Sequence, residues 1–535
     1  MMATELFLVL FAIGLPFTIH GQTAAHWNTQ ALDTLMEALD RQELNKNIAK
    51  NVVFFLGDGM GVSTVTAARI LKGQLEGNTG EEYFLSWENF PHAALSKTYN
   101  TNKQVPDSAG TATAFFCGVK SYEGAIGVDA SGQRKDCLAS HNGHVASILK
   151  EANDAGKSTG IVSTTRVTHA TPACLYAHSP DRYWENDAML TPEAVTNNCS
   201  DIASQLIAHP EIQVVLGGGR REFLPNNISD PEYPTMMGLR NDGRNLVNEW
   251  QSAHPREAAY VWNKEDFDDV DPDTTEYVFG LFEPSHMQYE SDRANDTSGE
   301  PSIAEMTEKA IQILSKNNNG FFLAVEGGRI DHAHHDSLGY KALHDTVALD
   351  TAVQVAIDMT DPRDTLIIVT ADHSHTMAIA GYPVRGNDIL GVVEDPTGQV
   401  PVDGLPYTTL GYLNGPGGNL TSQSFKVNGV RPNLTGVETN SKSFVNEALV
   451  PLEYETHGGE DVAIYASGPF AHLFTSVHEQ HYIAHVIRYA ACLGNGKQVC
   501  TDVAEPDPCS DMSASKASIT LFVLLSSILA YTFLY

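Results

Sequence analysis

The stretch Phe321–Asp336, FFLAVEGGRIDHAHHD, constrains the chain more than any other. Its apolar run, Phe321 to Val325, is short, aromatic-rich and closed by Gly327-Gly328, which predicts a buried strand. Directly beyond it stand Glu326, Asp331, His332, His334, His335 and Asp336. Asp331 and His335 are four apart, so on a helical turn they share a face and can grip one ion. A single histidine here would read as a satisfied loop residue, but the pattern recurs. Asn51–Leu56 (NVVFFL) leads into Gly57-Asp58-Gly59-Met60-Gly61, and Thr365–Thr370 (TLIIVT) into Ala371-Asp372-His373-Ser374-His375. A fourth strand-like run, Asp461–Ala466, is preceded by His457-Gly458-Gly459. Open α/β sheets bind ligands at the carboxyl ends of their strands. The four segments therefore predict one polynuclear metal site, assembled at one sheet edge from distant parts of the chain.

Between these segments the spacing of apolar residues predicts helices over Ala31–Leu44, Val62–Leu71, Val145–Ala155, Ser302–Leu314 and Leu343–Met359. Val105–Phe116 reads as a turn followed by a helix of small residues, with Asp107 or Ser108 as its cap. Further strands are expected at Thr159–Thr165, which delivers Arg166, His169 and Thr171, and at Gln213–Leu216. Strands alternating with helices predict an α/β fold with a largely parallel sheet covered on both faces. Residues 381–454 are rich in Gly, Pro, Asn and Thr, and read as an inserted, exposed β/loop subdomain that separates His457 from the other ligands.

The chemistry follows from the residue types. Asp372-His373, and Asp331, His335 and His457, make two nitrogen/oxygen sets suited to zinc. Asp58 can bridge to a third ion, where Thr171 and Glu326 add the hard oxygen donors that suit magnesium. Two ions side by side can clamp the attacking and leaving oxygens of an in-line displacement. The nucleophile expected is Ser108, at a helix start where an anion is favoured and where metal coordination can deprotonate it. Alone, Ser108 would be an ordinary cap, and the neighbouring ligand set decides otherwise. Arg182, in HSPDRYW, offers a bidentate fork for phosphate, although a surface salt bridge accounts for it equally well. The net charge of −33 repels nucleic acid and anionic membranes. An anionic substrate would need local positive charge, from metals or a placed arginine.

Residues 1–21 resemble a secretory signal, with an apolar core at Leu6–Phe17, no basic start and cleavage near Gly21. The apolar Ile519–Tyr535 follows a polar stretch of small residues and has nothing basic after it. This fits a removable glycolipid (GPI) anchor signal, with attachment at Cys509, Ser510, Asp511 or Ser513; a spanning helix is the alternative. Seven cysteines in an exported chain favour disulfides. Cys492 and Cys500 flank a short Gly-rich loop, and Cys137 and Cys199 are candidates for a longer bridge. Cys117 reads as a buried free thiol, and Cys174 and Cys509 have no evident partner. Sequons at Asn227, Asn295, Asn419 and Asn433 suit export; a fifth, Asn198, is discounted because Cys199 is its middle residue.

The segments VPDSAGTATA, GDGMG, VEGGRIDHAHH, TADHSH and THGGEDV resemble those of the metazoan alkaline phosphatases, over a span from about Lys50 to Cys500. The resemblance implies an α/β/α sandwich built from residues 22–380 and 455–500, with 381–454 as a crown-like insert, 501–518 as linker and 519–535 as the anchor signal. It implies hydrolysis of phosphate monoesters through a phosphoserine at Ser108, with two Zn2+ and one Mg2+. Asp331, His335 and His457 would hold one zinc, and Asp58, Asp372, His373 and Ser108 the other. Asp58, Thr171 and Glu326 would hold magnesium, and Arg182 the phosphate. His169, His332 and His375 would stand beside these ligands and orient them. A Ca2+ site is implied at Glu232, the Phe282 backbone and Glu283, with Glu300 where many animal members carry Asp. A homodimer on the outer face of the cell membrane, with no nucleic-acid partner, completes the expectation. The competing readings are a related metal-dependent phosphodiesterase or sulfatase, and an inactive surface binding protein. No C-x-P-S-R sulfatase motif is present, and the complete ligand set argues against an inactive protein.

Overall fold

The computed structural model describes residues 24–40, 44–398 and 401–496. The terminal readings, the leader and the anchor signal, lie outside the described residues, as does Cys500 of the expected Cys492–Cys500 bridge. The N-terminal residues up to Leu44 form a unit of their own, with a helix over Ala24–Asp40. It starts before Ala31 because the residues from Ala24 to Gln30 include no Gly or Pro to break it. Among the described residues no helix is long and apolar enough to cross a membrane.

Everything else is organised on a ten-stranded sheet. In chain order its strands are β1 (Asn51–Gly57), β2 (His92–Lys97), β3 (Ser158–Arg166), β4 (Val214–Gly218), β5 (Ala258–Val261), β6 (Tyr277–Leu281), β7 (Phe321–Gly327), β8 (Thr365–Ala371), β9 (Val462–Ser467) and β10 (Val477–Glu479). Their order across the sheet is β10-β2-β9-β8-β1-β7-β3-β4-β6-β5. From β8 to β5 all neighbours are parallel, and β9 runs antiparallel to β8 and β2. The register sets Leu56 of β1 between Glu326 of β7 and Thr370 of β8.

The central strands read as continuous apolar runs because both faces are covered. Val52, Phe54 and Leu56 point to one side, into a core with Phe115, Phe116, Ile148 and Ile487. Val53 and Phe55 point to the other, against Val65, Leu71, Met306, Leu349 and Val353. The first set comes from the helices Ile148–Asp154 and Tyr482–Ala490 and the Thr113–Cys117 turn. The second comes from Val62–Leu75, Ile303–Leu314 and Gly339–Met359. This is an α/β/α sandwich. Each buried aromatic or branched side chain contributes roughly 1.5–3 kcal/mol, so the strand ends project from a stiff platform.

The region 381–454 departs from the expected β/loop character. Leu410–Gly415 and Ala448–Pro451 join Met377–Ile379 in a three-stranded sheet, but Pro416–Asn428 is a helix. Pro416 opens it at the first helical position and Gly429 closes it with φ 73°. Gly417 and Gly418, poor helix formers, are needed for packing: a Cβ on Gly417 would lie 1.9 Å from the Asn446 carbonyl oxygen.

Candidate active site

The ligand-bearing segments meet at the carboxyl edge of the parallel strands. β1 delivers Asp58, β7 ends in Glu326, β8 delivers Asp372 and His373, and the chain after β3 supplies His169 and Thr171. His457 reaches the same edge because β9 is antiparallel, so the residues that precede it lie where the parallel strands end. His457-Gly458 pairs there with Ser374-His375. Gly59 has φ 67°, and a Cβ on it would lie 2.4 Å from the His375 ring, so this turn requires glycine. The helix Arg329–His335 starts at Gly328, which has no side chain to cap it. Thr164 of β3 does so instead, its hydroxyl accepting from the Gly328 and Arg329 amides at 3.0 and 3.2 Å.

Three potential ligand groups form here. In the first, Asp331 Oδ1 lies 3.3 Å from both His335 Nε2 and His457 Nε2, which are themselves 3.1 Å apart. His335 Nδ1 donates to the Glu455 carbonyl at 2.5 Å and His457 Nδ1 to the Pro106 carbonyl at 2.7 Å. Those carbonyls fix the tautomers, so both Nε2 lone pairs converge beside a carboxylate, as a cation site requires. His375 belongs to the same cluster. Its Nε2 is 2.8 Å from Asp331 Oδ1 and its Nδ1 2.5 Å from Glu455 Oε2. Burial opposes the charged ring, but Glu455 and then Asp331 raise it to about 9. His375 thus bridges Glu455 and Asp331 and holds Asp331 in place.

The second group is Asp58, Asp372 and His373. Asp372 Oδ1 accepts from the Gly59 and His373 amides, each at 2.9 Å, and its Oδ2 lies 3.1 Å from His373 Nε2. Ser108 Oγ faces this group, 3.3 Å from His373 Nε2 and 3.5 Å from Asp58 Oδ1. The cap left open by the sequence is Asp107, whose carboxylate accepts from the Ala109 and Gly110 amides. The Ser108 hydroxyl is thereby released from capping. Asp107 also receives Arg182 Nη1 at 3.2 Å, while Arg182 Nη2 lies 3.0 Å from His169 Nε2. Burial opposes the charge of Asp107, but Arg182, then the Gly124 and Gly110 amides and the Asn100 side chain, hold its carboxyl below the ordinary value. With its side chain 13% exposed, Arg182 does not make a solvated surface pair.

The third group brings Asp58 and Glu326 together with His169. Asp58 Oδ2, Glu326 Oε1, Thr171 Oγ1 and His169 Nδ1 are all buried without a hydrogen-bond partner. Asp58, His169 and Glu326 stand together there, and Thr171 is near enough to Glu326 to lower its carboxyl; such unpaired buried atoms are rare in folded proteins, and oxygens predominate among them, a donor set that fits a hard cation. Burial, then the charges of Asp372, Asp331 and Glu326, pushes Asp58 well above the ordinary carboxylate range. Burial likewise raises Glu326 to about 7. Burial and then His457 hold His373 well below the ordinary imidazole value. Such crowding of carboxylates is relieved by cations. His332 packs at 5.5 Å from His169 and 4.1 Å from His286, with Arg329 Nη1 3.0 Å from its Nδ1.

Several supporting residues carry no signal in the sequence. Glu455, fully buried, also accepts from the Thr376 amide and hydroxyl at 2.7 and 2.6 Å. Ser163 and Thr165 of β3 donate to Glu326 Oε2, and Gln480 Nε2 donates to the Asp372 carbonyl at 2.7 Å. Only Glu455, two residues before His457, stands close enough to a recognisable ligand to have been suspected.

A separate acidic group differs from the expected calcium set. Glu232 and Glu283 come together with Asp296, while Glu300 is not in that group. Glu300 Oε1 accepts from the Gln288 amide at 2.9 Å, and burial raises its carboxyl to about 9. Phe282, whose amide donates to the Gly217 carbonyl at 2.8 Å, is buried next to Glu283. Asp296 escapes notice in the sequence because it sits inside the Asn295 sequon. Cys137 and Cys199 form a disulfide, and Cys117 and Cys174 are buried free thiols. Asn227, Asn295, Asn419 and Asn433 are all exposed, as is Asn198.

A family model described as alkaline phosphatase matches residues 49–493. The tissue-nonspecific alkaline phosphatase of Rattus norvegicus is 50% identical over 496 residues, 90% of this chain and 92% of its own. The Homo sapiens isozyme is 51% identical over 475 residues, 88% of each chain. The alkaline phosphatase of Gadus morhua is 51% identical, over 88% of this chain and 98% of its own. Among solved structures, the Thermus thermophilus alkaline phosphatase is similar in fold, with a TM-score of 0.61 at 23% identity over 85% of this chain and 94% of that one. The enzyme of the Antarctic bacterium TAB5 gives 0.57 at 21% identity, over 84% and 99%.

Proposed function

The chain belongs to the alkaline phosphatase family, and on that premise we propose that it hydrolyses phosphate monoesters through a phosphoserine at Ser108. The observation that carries this reading is the release of the Ser108 hydroxyl by the Asp107 cap, which leaves Oγ 3.3 Å from His373 Nε2 and facing the Asp58–Asp372–His373 group. Asp331, His335 and His457 would hold one zinc. Asp58, Asp372, His373 and Ser108 would hold a second, and Asp58, Thr171 and Glu326 a magnesium, with His169 at its side. When bound, these ions supply Lewis acidity at the sheet edge.

The chain's own residues do the rest. Ser108 Oγ attacks phosphorus in line, and the alcohol leaves on the opposite side. Arg182 cradles two phosphoryl oxygens with its planar fork, and Asp107 holds that fork in orientation. Water then attacks the phosphoserine from the side the alcohol vacated. His375, held by Glu455, keeps Asp331 aimed, and His332 stands against His169.

The test is turnover of p-nitrophenyl phosphate, expected to disappear with a chelator and return with zinc plus magnesium. Phosphate trapped at acidic pH should map to Ser108 and be absent from Ser108→Ala. Normal phosphate incorporation in that variant would overturn the assignment.

The same reading extends to the whole chain. Removal of 1–21 and 519–535 would leave an extracellular homodimer, held to the membrane by a glycolipid joined within Cys509–Ser513. Residues 381–454 would form its crown, and Glu232, Glu283 and Asp296, beside Phe282, would take calcium. A phosphatidylinositol-specific phospholipase should release the protein from cells. Retention with an intact C-terminal peptide would favour a spanning helix instead.

A further inference from the structure

Away from the metal edge, the segment that begins with Ser108 and the turn that carries Thr171 meet again, at two thiols. The helix Ser108–Ala112 continues into a π-helical turn whose last residue is Cys117. Cys174 directly follows the helical turn Ala170–Ala173 that holds Thr171. Their Sγ atoms are 3.8 Å apart, both residues are buried, and neither is in a disulfide. The Thr113 hydroxyl lies 3.7 Å from Cys174 Sγ. Reaching bonding distance from here requires the two sulfurs to approach by roughly 2 Å.

A cavity lies beside the pair. Cys174 is among the residues lining this cavity of about 310 Å³ beside the helix Ile148–Asp154, together with the exposed His144, Lys150 and Asp154. The chain already carries one disulfide, Cys137–Cys199, so it matures where thiols are oxidised.

We propose that Cys117 and Cys174 are an oxidisable dithiol, a disulfide modification site that ties the segment opened by Ser108 to the turn carrying Thr171. The oxidant is a small disulfide of the glutathione class, entering by the cavity. Cys174 loses its proton and its sulfur attacks one sulfur of the oxidant, forming a mixed disulfide while the other sulfur leaves as a thiol with a proton. Cys117 then loses its proton and its sulfur attacks Cys174 Sγ, expelling the second thiol. Two protein thiols give up two electrons in all, and the oxidant's disulfide is reduced to two thiols. Both side chains are buried, and the order is assigned from Cys174 being the one of the pair among the residues that line the cavity. It also agrees with the hydrogen bonding: although burial opposes it, bonds from Cys117 and Thr113 hold the Cys174 thiol low, and the bond to Cys174, together with burial, pushes Cys117 up.

The new loop, 117–174, would overlap the 137–199 loop, since Cys137 lies inside it and Cys199 outside. Together they would staple the stretch between the nucleophile and the Arg182 region against unfolding.

The metal-loaded full-length enzyme is incubated with glutathione disulfide, alkylated in denaturant and digested without reduction. The expected product is a joined pair of peptides containing Cys117 and Cys174, lighter by two hydrogens than their sum, with neither thiol alkylated. The thermal midpoint of the oxidised enzyme should exceed that of the reduced one. Cys174→Ala should leave Cys117 alkylatable and abolish the response of the midpoint to oxidation. Alkylation of both thiols after oxidation would overturn the proposal. So would a glutathione adduct that stays on Cys174 unresolved, or a joining of either thiol to Cys137 or Cys199.

Discussion

At the scale of single residues, the site depends on a division of labour between neighbours. Asp107 takes the cap and the arginine, and Ser108 is left to face the ligand group. Sequence alone could not choose between the two as caps, because either side chain can accept from the first amides of a helix. A similar division operates at Glu455, which touches no reacting atom but fixes His375, and through it Asp331. Glu455→Gln keeps the shape and removes the charge that faces His375 Nδ1. Loss of such an orienting partner lowers metal affinity or activity by about 10–100-fold. We expect zinc affinity, measured by competition with a chromogenic chelator, to fall within that range, and turnover to recover in excess zinc. Unchanged zinc affinity would show that Glu455 is only a packing residue.

At the scale of elements, what could be read was the periodicity of strands and what stands at their ends. β1, β7 and β8 are short apolar runs that lead into Gly, Asp, Glu or His, and their ligand ends are legible because parallel strands buried on both faces carry few polar residues elsewhere, here Asn51, Thr365 and Thr370. The direction of β9 was not legible, since an isolated run such as VAIYAS carries no mark of parallel or antiparallel pairing. The helix Pro416–Asn428 was missed because Gly417 and Gly418 mark a loop unless their packing against the neighbouring chain is known. Long helices also hide titrating groups. Asp345, on Gly339–Met359, is 5% exposed and accepts from the Glu290 amide at 3.2 Å. Burial raises its carboxyl from 3.8 to about 8, against the opposing charge of Arg329. The folded state therefore keeps a proton that the unfolded chain releases, so stability falls as pH rises from about 4 to about 8. Asp345→Asn retains an acceptor and abolishes the titration. Its thermal midpoint should fall less than that of the wild type between about pH 5 and about pH 9. Parallel declines in the two proteins would exclude Asp345 as the source.

At the scale of the whole molecule, the ligand set spans the chain from Asp58 to His457 and draws on β1, β3, β7, β8 and the residues before β9. That breadth was readable as a repeated motif, but the coincidence in space rests on strand order and on one antiparallel strand, neither of which periodicity encodes. It also means that ions bound here would cross-link segments that are otherwise joined only through the sheet. Asp58, Glu326, Asp331 and Asp372 are all buried at one edge, and a molecule of net charge −33 offers little long-range relief from their repulsion. Cations bind this arrangement only when it is folded, so their binding free energy is also folding free energy. At a free metal concentration a thousandfold above Kd, that linkage amounts to about 4 kcal/mol per site. Metal removal should therefore lower the thermal midpoint by several degrees or more, with the Cys137–Cys199 bridge intact, and zinc plus magnesium should restore it. Calorimetry of chelated and reloaded protein, with metal content measured in the same samples, makes the comparison. Magnesium alone should restore only part of the loss, because the Asp331–His335–His457 group presents imidazole nitrogens that a hard cation does not favour. An unchanged midpoint in protein shown to be metal-free would mean that the ligand edge is held open by the sheet alone, and that ions at this edge serve chemistry without contributing to the fold.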